Sequence, residues 1–90
     1  MLKSLENIVL LARKKKLNPV ENSYTNKLLT DKLLSKAKVI EEIYELIEAV
    51  EKNSNKIHEA ADVFYHLLIY LEANDVKIED VMSELDERKK

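Results

Sequence analysis

The sequence predicts an all-α fold, a compact antiparallel bundle of four to five helices forming one domain over residues 1–90, and three observations predict it. The 90 residues include no Gly and a single Pro, Pro19, while Leu, Lys, Glu, Ile and Ala dominate; straight-chain residues and Ala lose little rotamer freedom in a helix. Apolar residues recur at helical spacing in one segment after another. Between those segments lie short polar breaks, Asn18-Pro19 and Asn53-Ser54-Asn55. A chain this short leaves much of its surface uncovered, so a second copy is expected to complete the core and the protein to be a homodimer.

The first helix is predicted from Ser4, as N-cap, to about Lys16, with Leu5, Ile8, Leu11 and Ala12 on one face. The basic run Arg13 to Lys16 suits its C-terminal dipole, and Asn18-Pro19 ends it because a residue before Pro is pushed out of the α region. Ser23-Tyr24-Thr25 follows, where a loop turns into a short second segment. A long helix is predicted from Asp31 to about Glu51 or Lys52. At about 100° per residue, Leu33, Ala37, Val39, Ile40, Ile43, Tyr44, Leu46, Ile47 and Val50 cover one broad side, and Lys38, Glu41, Glu42, Glu45 and Glu48 hold the remaining arc. The next helix, about Asn55 to Glu72, is apolar nearly all round between Ala60 and Leu71, interrupted only by Asp62 and His66; such a helix is expected to be buried. A last amphipathic helix runs from about Ile78 to the C-terminus, with Ile78, Val81, Met82 and Leu85 facing the core.

Composition also excludes. With no Cys there is no disulfide or thiolate metal site. The apolar run Ile8 to Ala12 is too short to span a membrane and follows no basic leader, so a cytoplasmic protein with no membrane partner is expected. The net charge of −2, and a basic run without interleaved aromatics, give no nucleic-acid footprint.

The chemistry is carried by carboxylates. Glu41-Glu42-x-x-Glu45 places three on adjoining positions of the long helix, and Glu59-x-x-Asp62 repeats the device on the next. The short connection makes these helices antiparallel neighbours, so five carboxylates converge on one cavity. Glutamates on one helix face alone read as a solvated surface. Asp62 changes that reading, because an ionised carboxylate in a core helix is costly unless it is paired or bound to metal, and its only partners in that helix are His58 and His66. Hard oxygen ligands without Cys point to Mg²⁺, with Mn²⁺ as a substitute. Di-iron would want Glu-x-x-His pairs, and the sequence has none. Magnesium on a few carboxylates completes its shell with water and phosphate oxygens, which suggests phosphoanhydride chemistry with one glutamate as general base.

With these motifs in place, the chain resembles the phosphoribosyl-ATP pyrophosphatases of histidine biosynthesis, within the MazG-like all-α nucleotide pyrophosphohydrolases. The resemblance runs from Leu5, Ile8 and Arg13 through Ser23-Tyr24-Thr25, Leu28-Leu29 and Lys38-Val39 to the two acidic motifs, then Tyr65-His66 and Val81-x-x-Glu84-Leu85 with Arg88. It implies that Glu41, Glu42, Glu45, Glu59 and Asp62 are the catalytic, Mg²⁺-holding residues. It implies hydrolysis of phosphoribosyl-ATP to phosphoribosyl-AMP and pyrophosphate. The chain departs from the family pattern at Ile40, where Gly is usual, at Glu48, where an apolar residue is usual, and at His58, where an acidic residue is common.

Four further residues are expected to meet substrate. Lys38 projects within the acidic arc toward phosphate, with an intrahelical pair to Glu41 or Glu42 as the plainer role. Ser23 and Thr25 stand at a helix start, where they serve either phosphate or the cap. His66 either contacts substrate, orients Asp62, or is a satisfied core histidine. Two alternatives stay open: a house-cleaning hydrolase of nucleoside triphosphates on the same cluster, and a non-catalytic dimerisation module.

Overall fold

The computed structural model describes residues 1–89 as five helices: α1 (Lys3–Leu17), α2 (Tyr24–Thr30), α3 (Lys32–Lys52), α4 (Lys56–Ala73) and α5 (Ile78–Glu87). The hairpin of α3 and α4 forms the most extensive contact in the fold, and α1 and α2 pack on one side of it, while α5 packs on α4 and is tied to α1 by side chains.

Each boundary has a local cause. Ser23 caps α2 by accepting the Asn26 N–H at 3.3 Å, and Asp31 caps α3 by accepting the Leu34 N–H at 3.0 Å. The expectation that Ser4 caps the first helix is corrected. The helix starts two residues earlier on Leu2, whose carbonyl receives the Leu5 N–H at 3.2 Å with no side-chain cap. With no Gly to turn the chain, Asn and Asp do it: Asn22, Asn53, Asn55 and Asp75 all hold positive φ between 54° and 64°, a conformation their short polar side chains tolerate better than most. Asn53 closes α3 and Asn55 opens α4, so the hairpin reverses within three residues.

The core is small. Ala12 of α1, Leu28 and Leu29 of α2, and Ile69 and Ala73 of α4 form its buried centre, with Ile8, Leu34 and Tyr65 packed around it. The second helix therefore supplies much of the centre despite its length of seven residues. The predicted burial of the long helices holds for one side only. On α3, Leu33 is 80% and Tyr44 70% exposed, with Ile40, Ile43, Ile47 and Val50 also open; on α4, Ile57 and Phe64 are exposed beside them. The physical reason is coverage, since α1 and α2 shield one face of the α3/α4 hairpin and, among the described residues, no element shields the other. Among the described residues, no helix is long and apolar enough to cross a membrane.

Candidate metal and nucleotide site

The acidic motifs meet across the α3/α4 hairpin, near its turn. Glu42, Glu45 and Glu59 each offer a carboxylate oxygen, and these three atoms lie within 4.8 Å of one another. A second group of the same dimension joins His58, Glu59 and Asp62, so Glu59 belongs to both. Helical spacing explains the convergence: i and i+3 on α3 face i and i+3 on α4. Beside the cluster, Glu45, Glu48, Lys52, Ser54, Asn55 and Glu59 line an open cleft of about 350 Å³.

The cluster is short of positive charge. Glu42 is buried, and its Oε2 and that of Glu59 are shielded from solvent without a hydrogen-bond partner. Burial pushes the Glu42 carboxyl above the usual carboxylate range, and the neighbouring Glu45 pushes it further. The Glu59 carboxyl is raised for the same reasons in the same order. Two solvent-shielded acceptor oxygens facing further carboxylates, with no Lys or Arg paired to Glu42, Glu45, Glu59 or Asp62 among the described residues, are a donor set that a hard divalent cation fits.

Not every predicted member joins. Glu41 is exposed and turned away to Lys38, whose Nζ lies 3.1 Å from Oε2; that contact raises the lysine's affinity for its proton. Asp62 was expected to be buried, and its side chain is 37% exposed with His58 Nε2 at 3.4 Å from Oδ2. Its part of α4 lies at the rim of the hairpin, where sequence periodicity alone cannot distinguish an uncovered face from a covered one.

Ser23, Thr25 and His66 have internal partners. The Ser23 hydroxyl caps α2 and also receives Lys15 Nζ at 2.9 Å. The Thr25 and Tyr65 hydroxyls bond each other. The buried His66 ring bonds the Asp62 backbone carbonyl through Nδ1 and the Tyr24 hydroxyl through Nε2, both at 2.8 Å. A carbonyl can only accept, so Nδ1 carries the hydrogen in the neutral ring and Nε2 accepts from Tyr24. The Tyr24 and Tyr65 rings stack with centroids 6.4 Å apart.

Sequence reasoning missed two connectors. Asn26 is buried and ties the first interhelical loop down, accepting the Val20 N–H at 2.7 Å and donating to the Lys15 carbonyl at 3.0 Å. Arg13 reaches Glu72 at 2.9 Å and Glu79 at 2.6 Å, joining α1, α4 and α5. A buried Glu at the end of an apolar helix was the signal for the second; nothing in the sequence marks Asn26.

Residues 5–89 match the family model of phosphoribosyl-ATP pyrophosphohydrolase. Over its whole length the chain is 42% identical to a phosphoribosyl-ATP pyrophosphatase of Clostridium novyi, covering 82% of that protein. It is also 42% identical over its whole length to a histidine biosynthesis bifunctional protein of Pyrococcus furiosus, of which it spans 42%. A phosphoribosyl-ATP pyrophosphatase of Methanoregula boonei is 46% identical over 80% of this chain and 74% of its own.

Proposed function

The chain belongs to the phosphoribosyl-ATP pyrophosphohydrolase family, and from that premise we propose that it hydrolyses phosphoribosyl-ATP to phosphoribosyl-AMP and pyrophosphate, with Glu42, Glu45, Glu59 and Asp62 holding Mg²⁺. The observation that carries the site is the pair of shielded, partnerless oxygens on Glu42 and Glu59, which face other carboxylates. When bound, the cation neutralises the polyphosphate and polarises the reacting groups.

The protein's own residues do the rest. One carboxylate of the cluster accepts the proton of the attacking water. Lys38 swings from Glu41 to a substrate phosphate, a short move for a flexible ammonium already 33% exposed. Tyr24, exposed and anchored by His66, meets the nucleotide. Ser23, Thr25 and His66 act one step back by fixing α2 against α1 and α4, so that Tyr24 and Asp62 keep their spacing. The exposed stripe of Leu33, Ile40, Tyr44 and Ile47, continued by Ile57 and Phe64, supports a homodimer closed over the open face of the hairpin.

The test is pyrophosphate release with Mg²⁺ and with EDTA, from phosphoribosyl-ATP beside a panel of nucleoside triphosphates. Magnesium-dependent release confined to phosphoribosyl-ATP is the expected result. Preference for a free triphosphate would move the function to nucleotide-pool cleaning, and no release from any of them would overturn the hydrolase reading. Light scattering should give twice the monomer mass.

A further inference from the structure

The acidic cluster has an imidazole at its rim. His58 Nε2 lies 3.4 Å from Asp62 Oδ2, and the ligand atoms of His58, Glu59 and Asp62 fall within 4.8 Å of one another. An octahedral ion with bonds of about 2.1 Å holds neighbouring ligand atoms about 3 Å apart and opposite ones about 4.2 Å apart, so these three atoms need only a small contraction to share a cation. Glu59 also belongs to the all-oxygen group with Glu42 and Glu45, and the shielded Oε2 atoms of Glu42 and Glu59 have no partner. The imidazole thus sits next to a site that already needs positive charge, on the side open to solvent, where the His58 side chain is 73% exposed and free to adjust.

An imidazole changes what such a site selects. Mg²⁺ is bound through oxygen and keeps its waters, whereas transition-series divalent ions gain from a nitrogen donor. Building on the proposed cation site, we infer that His58 is a metal ligand, completing with Glu59 and Asp62 a mixed nitrogen and oxygen position that prefers a transition-series divalent ion such as Mn²⁺ to Mg²⁺.

The experiment uses the full chain stripped with EDTA, with Mn²⁺ and Mg²⁺ titrated separately by calorimetry. The Mn²⁺ form is then examined by pulsed electron paramagnetic resonance for ¹⁴N coupling from a bound imidazole. His58→Gln and His58→Glu are exposed substitutions and leave the core untouched. The wild type should show ¹⁴N coupling that both variants lose. Mn²⁺ affinity should fall by about tenfold or more in His58→Gln, a loss of the size metal sites suffer when a supporting group is removed, while Mg²⁺ affinity changes less than about twofold. The chain has two histidines, so coupling that survives His58→Gln assigns the nitrogen to His66 and overturns the inference, as does a wild type without coupling. Asp62→Asn separates the two readings. If it loses both cations while His58→Gln loses neither, the acidic site stands and the His58 ligand falls; if the wild type binds neither cation, both fall together.

Discussion

Helix α4 carries carboxylates near both ends, about 20 Å apart along the axis, and the two ends have been handled in opposite ways. At the C-terminal end Glu72 is buried against Arg13, which also grips Glu79, and Lys16 bonds the Glu72 carbonyl and the Asp75 carboxylate. Arg13 holds the Glu79 carboxyl down to about 2. At the N-terminal end, Glu59 and Asp62 face Glu42 and Glu45, and burial and mutual repulsion push Glu42 and Glu59 up. The same residue type is neutralised by the chain's own cation in one place and left short of charge in the other. The first arrangement is a strut joining three helices; the second lacks any such internal cation, and under the proposed function it is the place that a cation from solution would fill.

The largest effect expected from this difference is on turnover. Asp62→Asn should lower Mg²⁺-dependent pyrophosphate release by at least ~10²-fold, while the melting temperature in EDTA stays the same or rises, since a repelling charge has gone. A variant that turns over normally would return the cluster to a solvated surface. At the other end the pattern should invert. Arg13→Met leaves Glu72 buried without its partner and should cost about 2 kcal/mol, read by urea unfolding, with Mg²⁺ affinity unchanged. Adding Glu72→Met should recover most of that loss.

Acidity distinguishes the ends more gently. Glu42 and Glu59 have folded values above their unfolded ones, so the metal-free protein binds more protons folded than unfolded in the range just above 4.5, the ordinary value of a Glu carboxyl. It should therefore lose stability as pH rises from about there through the raised values. Saturating Mg²⁺ should flatten that slope in thermal melts. Glu79 is the opposite case, its folded value of about 2 lying below 4.5. Its contribution should be complete above 4.5 and disappear as pH falls toward 2, with or without Mg²⁺. An identical pH profile in EDTA and in Mg²⁺ would remove the contrast between the two ends.

The smallest effect concerns the third shielded side-chain oxygen without a partner. Ser35 Oγ is buried but, unlike the oxygens of Glu42 and Glu59, is a neutral hydroxyl. Ser35→Ala should stabilise the fold by about 1 kcal/mol, equally with and without Mg²⁺. A gain that depends on Mg²⁺ would connect Ser35 to the site.

Much of this was legible in the residues alone. The capping oxygens of Ser23 and Asp31 act within three residues of themselves, and Asn18-Pro19 and Asn53-Ser54-Asn55 interrupt helices through their own backbone preferences, so the α2 and α3 starts and the hairpin turn follow from local physics. The convergence of Glu42 and Glu45 on Glu59 and Asp62 needs only helical spacing and a short turn. Tertiary structure decided the rest, because burial and pairing depend on which faces neighbouring elements cover. It turned Glu41 out to Lys38, left Asp62 half exposed beside His58, and gave His66 to Tyr24 and the Asp62 carbonyl. It also matched Arg13 to Glu72 across 59 positions of sequence. Helical period fixes the angle of each side chain about its own axis; only packing says what stands opposite.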